Sequence, residues 1–346
     1  MKNILVTGGA GFIGSAFVRH MVQTYPQYTI VVLDKLTYAG NLDNLLPVSD
    51  APNYRFERGD IADAPTVRRV LEQYHIDAIV NFAAESHVDR SIMNSHAFLE
   101  TDVIGVYVLL EQARQLGIKR FHQVSTDEVY GWIAEGAFKE TDPLQPNNPY
   151  SAAKAGGEML VRAYHVTHGM HTTITRGSNT YGPYQYPEKM MPLFITEAID
   201  DRPLPVYGDG KQVRDWLYVD DHVRAIDLVL HVGAPGEVYN VGGENEQRNI
   251  DVTRRLLRLL GKPETLIRYV ADRPGHDRRY AVDCSKIKAL GWQRNDDFES
   301  LLAQTVAWYQ QNEWWWRKIK TGEYLEYYKR QYEQRLAEGK LESRSA

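Results

Sequence analysis

Short apolar runs recur along the first half of the chain, separated by longer segments in which apolar residues return every three or four positions. The runs are Asn3-Ile4-Leu5-Val6, Thr29 to Leu33, Tyr54-Arg55-Phe56, Ala78 to Phe82, Phe121 to Val124 and Thr172 to Thr175. Each has strand length, and their alternation with helix-length segments is the rhythm of a parallel sheet. Between the first two runs, Phe12, Ile13, Ala16, Phe17, His20 and Met21 recur at helical spacing before Tyr25-Pro26 closes the segment, which predicts a βαβ unit.

The stretch Val103 to Ala113 is apolar nearly all round, with Val103, Ile104, Val106, Tyr107, Val108, Leu109 and Leu110, more than one buried face accommodates. Two readings follow. Either a second copy covers the remainder, giving a homodimer through the helices near 103–113 and 150–166, or the helix is enclosed within the monomer. From about residue 179 the alternation loosens into loop-rich sequence punctuated by Pro183, Pro187, Pro192, Pro203 and Pro205, which predicts a smaller region laid over the sheet. Tyr218 to Val232 then reads as a helix and Glu237 to Val241 as a short strand, returning the chain to the first part. The expected division is therefore interleaved: 1–178 plus about 218–245, and about 179–217 plus 246–332. Trp314, Trp315, Trp316 and the tyrosines at 324, 327, 328 and 332 form an aromatic helical region expected to pack against the body, and 333–346 read as a disordered tail.

Composition narrows the class. At 346 residues with 43% hydrophobic content the chain can bury a large core, while a formal charge of −5 with scattered lysine and arginine gives no basic field for nucleic acid. No apolar run approaches the roughly 20 residues that span a bilayer, and the N-terminus enters a strand directly, so no membrane association and a cytoplasmic location are expected. Cys284 is the only cysteine, which fits a reducing compartment and excludes an internal disulfide. No histidine, cysteine and carboxylate spacing suggests a metal site.

Thr7-Gly8-Gly9-Ala10-Gly11-Phe12-Ile13-Gly14 follows the first strand and opens the first helix, where glycines permit a tight turn and let backbone approach a pyrophosphate. Asp34 stands twenty residues beyond Gly14 at the end of the second strand, where a carboxylate accepts from adenosine ribose hydroxyls and repels a 2′-phosphate, favouring NAD over NADP. The fold class is thus α/β: a Rossmann-type doubly wound parallel sheet with a smaller, interleaved α/β substrate-binding domain. Asp60, after the third strand, suits the adenine end and equally an N-cap of the next helix.

Tyr150 and Lys154 are four apart in a helix-forming segment and share one face. A phenol with a pKa near 10 is a poor base at neutral pH, and lowering it by about three units takes roughly 4 kcal/mol, which a nearby ammonium and an oxidised nicotinamide can supply. Downstream of a dinucleotide fingerprint, this pair points to hydride chemistry.

With Gly8-x-x-Gly11-x-x-Gly14, Tyr150-x-x-x-Lys154 and Arg214-Asp215-Trp216-x-Tyr218-Val219-x-Asp221, the chain resembles the extended short-chain dehydrogenase/reductase family over residues 1 to about 332. Val124-Ser125-Thr126-Asp127-Glu128-Val129-Tyr130-Gly131 carries two carboxylates where epimerase relatives have small or hydroxyl residues, and so resembles the dTDP-glucose 4,6-dehydratase branch. Ala84-Glu85-Ser86-His87-Val88-Asp89-Arg90-Ser91, Glu188-Lys189-Met190-Met191-Pro192 and Asp272-Arg273-Pro274-Gly275-His276-Asp277-Arg278-Arg279 match it as well. The resemblance implies NAD bound by Gly8, Gly11, Phe12, Ile13, Gly14, Asp34, Lys35, Asp60, Ile61, Ala83, Ala84, Thr101, Tyr150 and Lys154. It implies dTDP-glucose as substrate, contacted by Ser86, Thr126, Asn179, Lys189, Met190, Pro205, Tyr207, Arg214, Asn249, Arg273 and His276. Thr126 would bond the sugar near its 4-hydroxyl, Tyr150 would take that proton, Glu128 would act as base at C5 and Asp127 as acid at the 6-hydroxyl.

Arg214 and Arg273 have planar guanidinium groups suited to pyrophosphate oxygens, with a surface salt bridge as the alternative for each. His276 beside Asp272 and Asp277 is read either as a contact or as part of a structural hydrogen-bond network. Asp102 departs from the family pattern, in which asparagine is common beside the threonine. A 4-epimerase or decarboxylase would share the hydride step without needing Asp127 and Glu128, and a nonenzymatic dinucleotide sensor would need neither Tyr150 nor Lys154.

Overall fold

The computed structural model describes residues 1–295, 297–333 and 335–336. Apart from 333, 335 and 336, the tail expected to be disordered lies outside the described residues.

Among the described residues, twelve strands run β1 (Asn3–Thr7), β2 (Thr29–Asp34), β3 (Tyr54–Arg58), β4 (Ala78–Asn81), β5 (Arg120–Thr126), β6 (His171–Gly177), β7 (Asn179–Tyr181), β8 (Leu204–Tyr207), β9 (Val213–Tyr218), β10 (Val238–Val241), β11 (Glu246–Arg248) and β12 (Ile267–Val270). Seven form one sheet in the order β10-β6-β5-β4-β1-β2-β3. Every pairing in it is parallel. Parallel strands covered on both faces need unbroken apolar runs, which is why Ile4, Leu5 and Val6, like Ile79 and Val80, are fully buried. Alternate residues serve opposite layers. Ile4 and Val6 pack with Phe17, Val18 and Met21 of helix Phe12–Thr24 and with Val223, Ile226 and Leu230 of helix Val219–Val232. Leu5 packs with Val67, Val70 and Leu71 of helix Ala64–Gln73, Leu109 and Leu110 of helix Val106–Gln115, and Val161 of helix Pro149–His168. The strand order reverses at β1, between β2 and β4, so a crevice opens at the carboxyl ends of these strands.

A second assembly lies beyond those carboxyl ends. It comprises the β11-β9-β7 sheet, the β12-β8 pair, and helices Met190–Ile199, Asn249–Leu260 and Phe298–Gln311 around their own core. The aromatic C-terminal region packs against the body as expected. Trp315, Trp316, Tyr324, Tyr327 and Tyr332 are buried, and Trp315 Nε1 donates to Asn44 Oδ1 at 2.9 Å, tying this region to the chain beyond β2.

The apolar stretch 103–113 is largely enclosed by its own chain. Val106, Val108, Leu109, Leu110 and Ala113 are buried, whereas Ile104 and Tyr107 stay about half exposed, at 51% and 46%.

Candidate active site

The first cleft lies at the switch point. Gly8 adopts φ +65°, a left-handed conformation that favours glycine, and a side chain there would collide with the backbone of Ala83. A Cβ on Gly14 would overlap the carbonyl oxygen of Gly8, so the turn closes on the helix only with glycine at both positions. Asp34 is held by two backbone donors, Ala10 N at 2.9 Å and Leu36 N at 2.8 Å, one to each oxygen. The remaining lone pairs of this carboxylate face the cleft, a fixed acceptor for a vicinal diol. Gly8, Gly11, Phe12, Ile13, Gly14, Asp34, Lys35, Asp60, Ile61, Ala83, Ala84, Thr101, Tyr150 and Lys154 all line this one cleft. A glycine cradle at one end and a pinned carboxylate at the other fit a dinucleotide. Asp60 does not cap the next helix: Asp63 occupies that position, while Asp60 accepts from Ala62 N at 2.9 Å and pairs with Lys35 at 2.5 Å.

Asn148 starts helix Pro149–His168 with a capping box to Ser151 and Pro149 in the first turn, which fixes Tyr150 and Lys154 against the end of β5. Lys154 Nζ donates to Val124 O at 3.2 Å and lies 3.3 Å from Asp102 Oδ1. Thr126, the last residue of β5, caps the turn Asp127–Tyr130: its Oγ1 accepts from Glu128 N at 3.3 Å and donates to Asp127 Oδ1 at 3.3 Å. Glu128 points into the cleft, with Tyr280 Oη donating to its Oε2 at 3.4 Å. Asp127 is not among the lining residues; it is buried behind Thr126, and its Oδ2 has no partner among the described residues. Burial, reinforced by Glu128 and Asp215, pushes the Asp127 carboxyl well above the usual range, which favours its protonated form.

Of the two charges expected to lower the Tyr150 phenol, Lys154 and an oxidised nicotinamide, the chain itself supplies the first. Among the chain's own groups, burial, Glu128 and Asp102 push that phenol well above its ordinary value, with hydrogen bonding to Thr126 opposing them. The ammonium that would favour the phenolate is already paired with a carboxylate.

A second cleft adjoins the first, the two sharing Glu128, Asn179, Gln185, Glu188 and Lys189. Met190, Pro205, Tyr207, Arg214, Asn249, Arg273 and His276 line it, whereas Ser86 lies in the first cleft and accepts the Lys189 ammonium through its carbonyl. Neither arginine forms a surface salt bridge. Arg214 stacks 4.4 Å from the Tyr280 ring centroid and donates to Asp277 O at 3.0 Å. Arg273 is buried against Asp89 at 2.9 Å, and its Nε has no partner among the described residues. His276 Nδ1 lies 2.5 Å from Asp272 Oδ1, so the network reading holds through Asp272, whereas Asp277 accepts from Tyr280 and Asn147. Burial lowers the His276 pKa to about 4, leaving the ring neutral. The Oδ1 atoms of Asn179 and Asn249 are likewise buried without partners among the described residues, open to donors from a ligand.

Sequence reasoning missed several neighbours. Asp89 organises Arg273, Tyr207 and Gln331; Tyr280 supports Glu128 and Arg214; Tyr332 reaches the second cleft from the C-terminal region. Asp89 lay inside a quoted motif and could have been flagged as a buried-pair candidate. Nothing in the spacing announced Tyr280 or Tyr332. Among the described residues, no group of three or more histidine, cysteine or carboxylate side chains could hold a metal ion, and no helix is long and apolar enough to cross a membrane.

Residues 5–305 match the family described as GDP-mannose 4,6 dehydratase. The chain is 48% identical to the dTDP-glucose 4,6-dehydratase of Salmonella typhimurium, over 96% of this chain and 99% of that protein. It is 51% identical to the dTDP-glucose 4,6-dehydratase of Streptomyces venezuelae, crystallised with NAD and TYD, with a TM-score of 0.90 over 92% of this chain and 100% of that one. The UDP-glucose 4-epimerase of Thermus thermophilus, solved with NAD, is more distant: 30% identity and a TM-score of 0.83 over 90% of this chain and 99% of that one.

Proposed function

Since the chain belongs to the GDP-mannose 4,6-dehydratase family, we propose that it is an NAD-dependent dTDP-glucose 4,6-dehydratase, a hydro-lyase yielding dTDP-4-keto-6-deoxyglucose. The observation that carries this reading is the Thr126 turn, which sets a buried Asp127, its carboxyl pushed well above the usual range, and a cleft-facing Glu128 side by side next to Tyr150. An elimination needs one acid and one base at that spot; a 4-epimerisation needs neither.

The Gly8–Gly14 turn would hold the pyrophosphate of NAD, Asp34 the adenosine ribose, and Lys35, Asp60 and Ile61 the adenine end. Ala83, Ala84, Thr101, Tyr150 and Lys154 would line its nicotinamide half. NAD held there would supply a reversible hydride acceptor for the sugar. Thr126 and Ser86 orient the hexose, and Tyr150 takes the proton of the 4-hydroxyl. The resulting ketone acidifies the C5 hydrogen, which Glu128 removes while Asp127 protonates the departing 6-hydroxyl. Glu128 later returns its proton to C5. With the hydride removed from C4 restored at C6, the product is complete, and passage of the proton from Tyr150 back to Asp127 would return the protein to its starting state. Arg214 and Arg273 would meet the pyrophosphate of the substrate, with Asn179, Lys189, Met190, Pro205, Tyr207, Asn249 and His276 around the rest of the nucleotide. Residues 1–178 with about 218–245 would form the cofactor part, and about 179–217 with 246–332 the sugar-nucleotide part. Substrate deuterated at C4 should give product labelled at C6 without net consumption of NAD. Unlabelled C6, or a stoichiometric NAD requirement, would overturn the scheme; a C4 epimer as product would point to the epimerase reading.

We also infer a homodimer. Exposed Ile104, Tyr107, Met159 and Val166 project from the helical segments near 103–113 and 150–166, beyond what one chain covers. Tyr107→Glu combined with Met159→Glu should give a monomer in sedimentation velocity; an unchanged dimer would place the contact elsewhere. A cytoplasmic location is proposed from the lone, buried Cys284.

A further inference from the structure

Lys154 has three ammonium donors. One goes to Val124 O at 3.2 Å, and the charge lies 3.3 Å from Asp102 Oδ1. Both side chains of this pair are nearly closed to solvent, at 7% for Lys154 and 1% for Asp102. Asp102 sits at a break in helical geometry, in the π-turn Glu100–Gly105 that leads into helix Val106–Gln115, and the Cβ of an alanine at Gly157 would strike its carbonyl. Its Oδ2 accepts from the backbone of Glu85 at 3.1 Å, while Oδ1 makes no aligned hydrogen bond and has Lys154 as its ionic partner. A fixed carboxylate is thus built against Lys154, an ammonium that lines the cleft one helical turn from Tyr150.

We propose that Asp102 is a positioning residue of the base: its buried carboxylate holds Lys154 in place and offsets part of the ammonium's field at Tyr150. This rests on the dehydratase reading, in which Tyr150 takes the 4-hydroxyl proton. In a water-excluded site two opposite charges at ion-pair distance act on a third group largely as a dipole, so the phenolate gains less than from a lone ammonium. Around Tyr150 the other titratable groups are Glu128 and Asp127 from the turn after β5; around Asp102 they are Lys154, Glu85 and, through Glu85, Arg90, Glu188 and Lys35. The carboxylates among them oppose the phenolate too, so Asp102 adds to an existing bias, consistent with the upward push on the Tyr150 phenol.

The test uses Asp102→Asn, which keeps shape and the bond from Glu85 N but removes the charge, and Asp102→Glu, which keeps the charge. The pH profile of kcat/KM for dTDP-glucose is measured in the NAD-loaded enzyme, with a C4-deuterium isotope effect to confirm that hydride transfer is being read. The acid limb of Asp102→Asn should move to lower pH by about one unit, and that of Asp102→Glu should stay with the parent. A limb that stays in place or moves up in Asp102→Asn, or that moves equally in both variants, overturns the proposal. If Asp102→Asn does not fold, Asp102→Ser gives the same neutral comparison. A parent enzyme that does not turn over dTDP-glucose at all would instead sink the dehydratase reading.

Discussion

Tyr150→Phe should lower kcat by about a thousandfold while leaving KM for dTDP-glucose within a few-fold of the parent. The ring is buried on the first turn of helix Pro149–His168, edge-on to Phe98 with centroids 6.3 Å apart, so phenylalanine retains the packing and loses only the oxygen. What disappears is the acceptor for the 4-hydroxyl proton, an interaction realised mainly in the transition state. Thr126 remains to orient the sugar, which is why binding should survive. The decisive measurement is single-turnover absorbance of reduced nicotinamide: it should rise quickly in the parent and barely at all in the variant. A fast rise in Tyr150→Phe would remove this residue from the chemistry and require another base, for which cleft-facing Glu128 is a candidate. Because burial and neighbouring carboxylates push the phenol up, the parent's activity should also fall as pH drops, since less of the group is available as a base.

How far the sequence could carry this picture depended on whether a signal was local. Strands buried on both faces must be apolar throughout, so Ile4-Leu5-Val6 or Ile79-Val80 announced themselves, and all seven predicted strands, Glu237 to Val241 included, fall in the seven-stranded sheet. The glycine turn was equally legible, because backbone sterics at Gly8 and Gly14 leave no alternative residue. Ion pairs were not. Asp102 and Lys154 are fifty-two positions apart, Asp89 and Arg273 one hundred and eighty-four, and no periodicity encodes such contacts. The expectation for Tyr150 counted the charges of Lys154 and nicotinamide without Asp102, the carboxylate that folding brings to the lysine. The reading of Asp60 as a helix cap missed by one turn, since Asp63 stands nearer the start of helix Ala64–Gln73. For 103–113, composition alone could not separate a helix enclosed by its own chain from one at an interface, and the structure buries one face while leaving Ile104 and Tyr107 in the open.

The two carboxyl groups of the Thr126 turn should fail in different ways when each is made an amide. Their surroundings differ: Asp127 is enclosed behind Thr126, where burial and the charges of Glu128 and Asp215 push its carboxyl well above the usual range, whereas Glu128 faces both clefts with Tyr280 donating to it. A group whose protonated form is favoured is suited to donate a proton, and a neighbour in the open cleft to accept one, the separation that opposite proton roles demand. In Asp127→Asn the ketone still forms and Glu128 still reaches the C5 hydrogen, but the 6-hydroxyl lacks its proton donor, so product formation should drop by roughly a hundredfold to ten-thousandfold. Substrate recovered from heavy water should carry deuterium at C5, because proton removal there remains reversible. In Glu128→Gln product formation should fall by a similar factor, yet recovered substrate should stay unlabelled even after long incubation, since no base attacks C5. Mass spectrometry of the two recovered pools separates the roles. Exchange in Glu128→Gln as fast as in Asp127→Asn would show that Glu128 is not the base, and exchange absent from both would mean that Asp127, despite its position behind the cleft wall, takes part in removing the C5 proton.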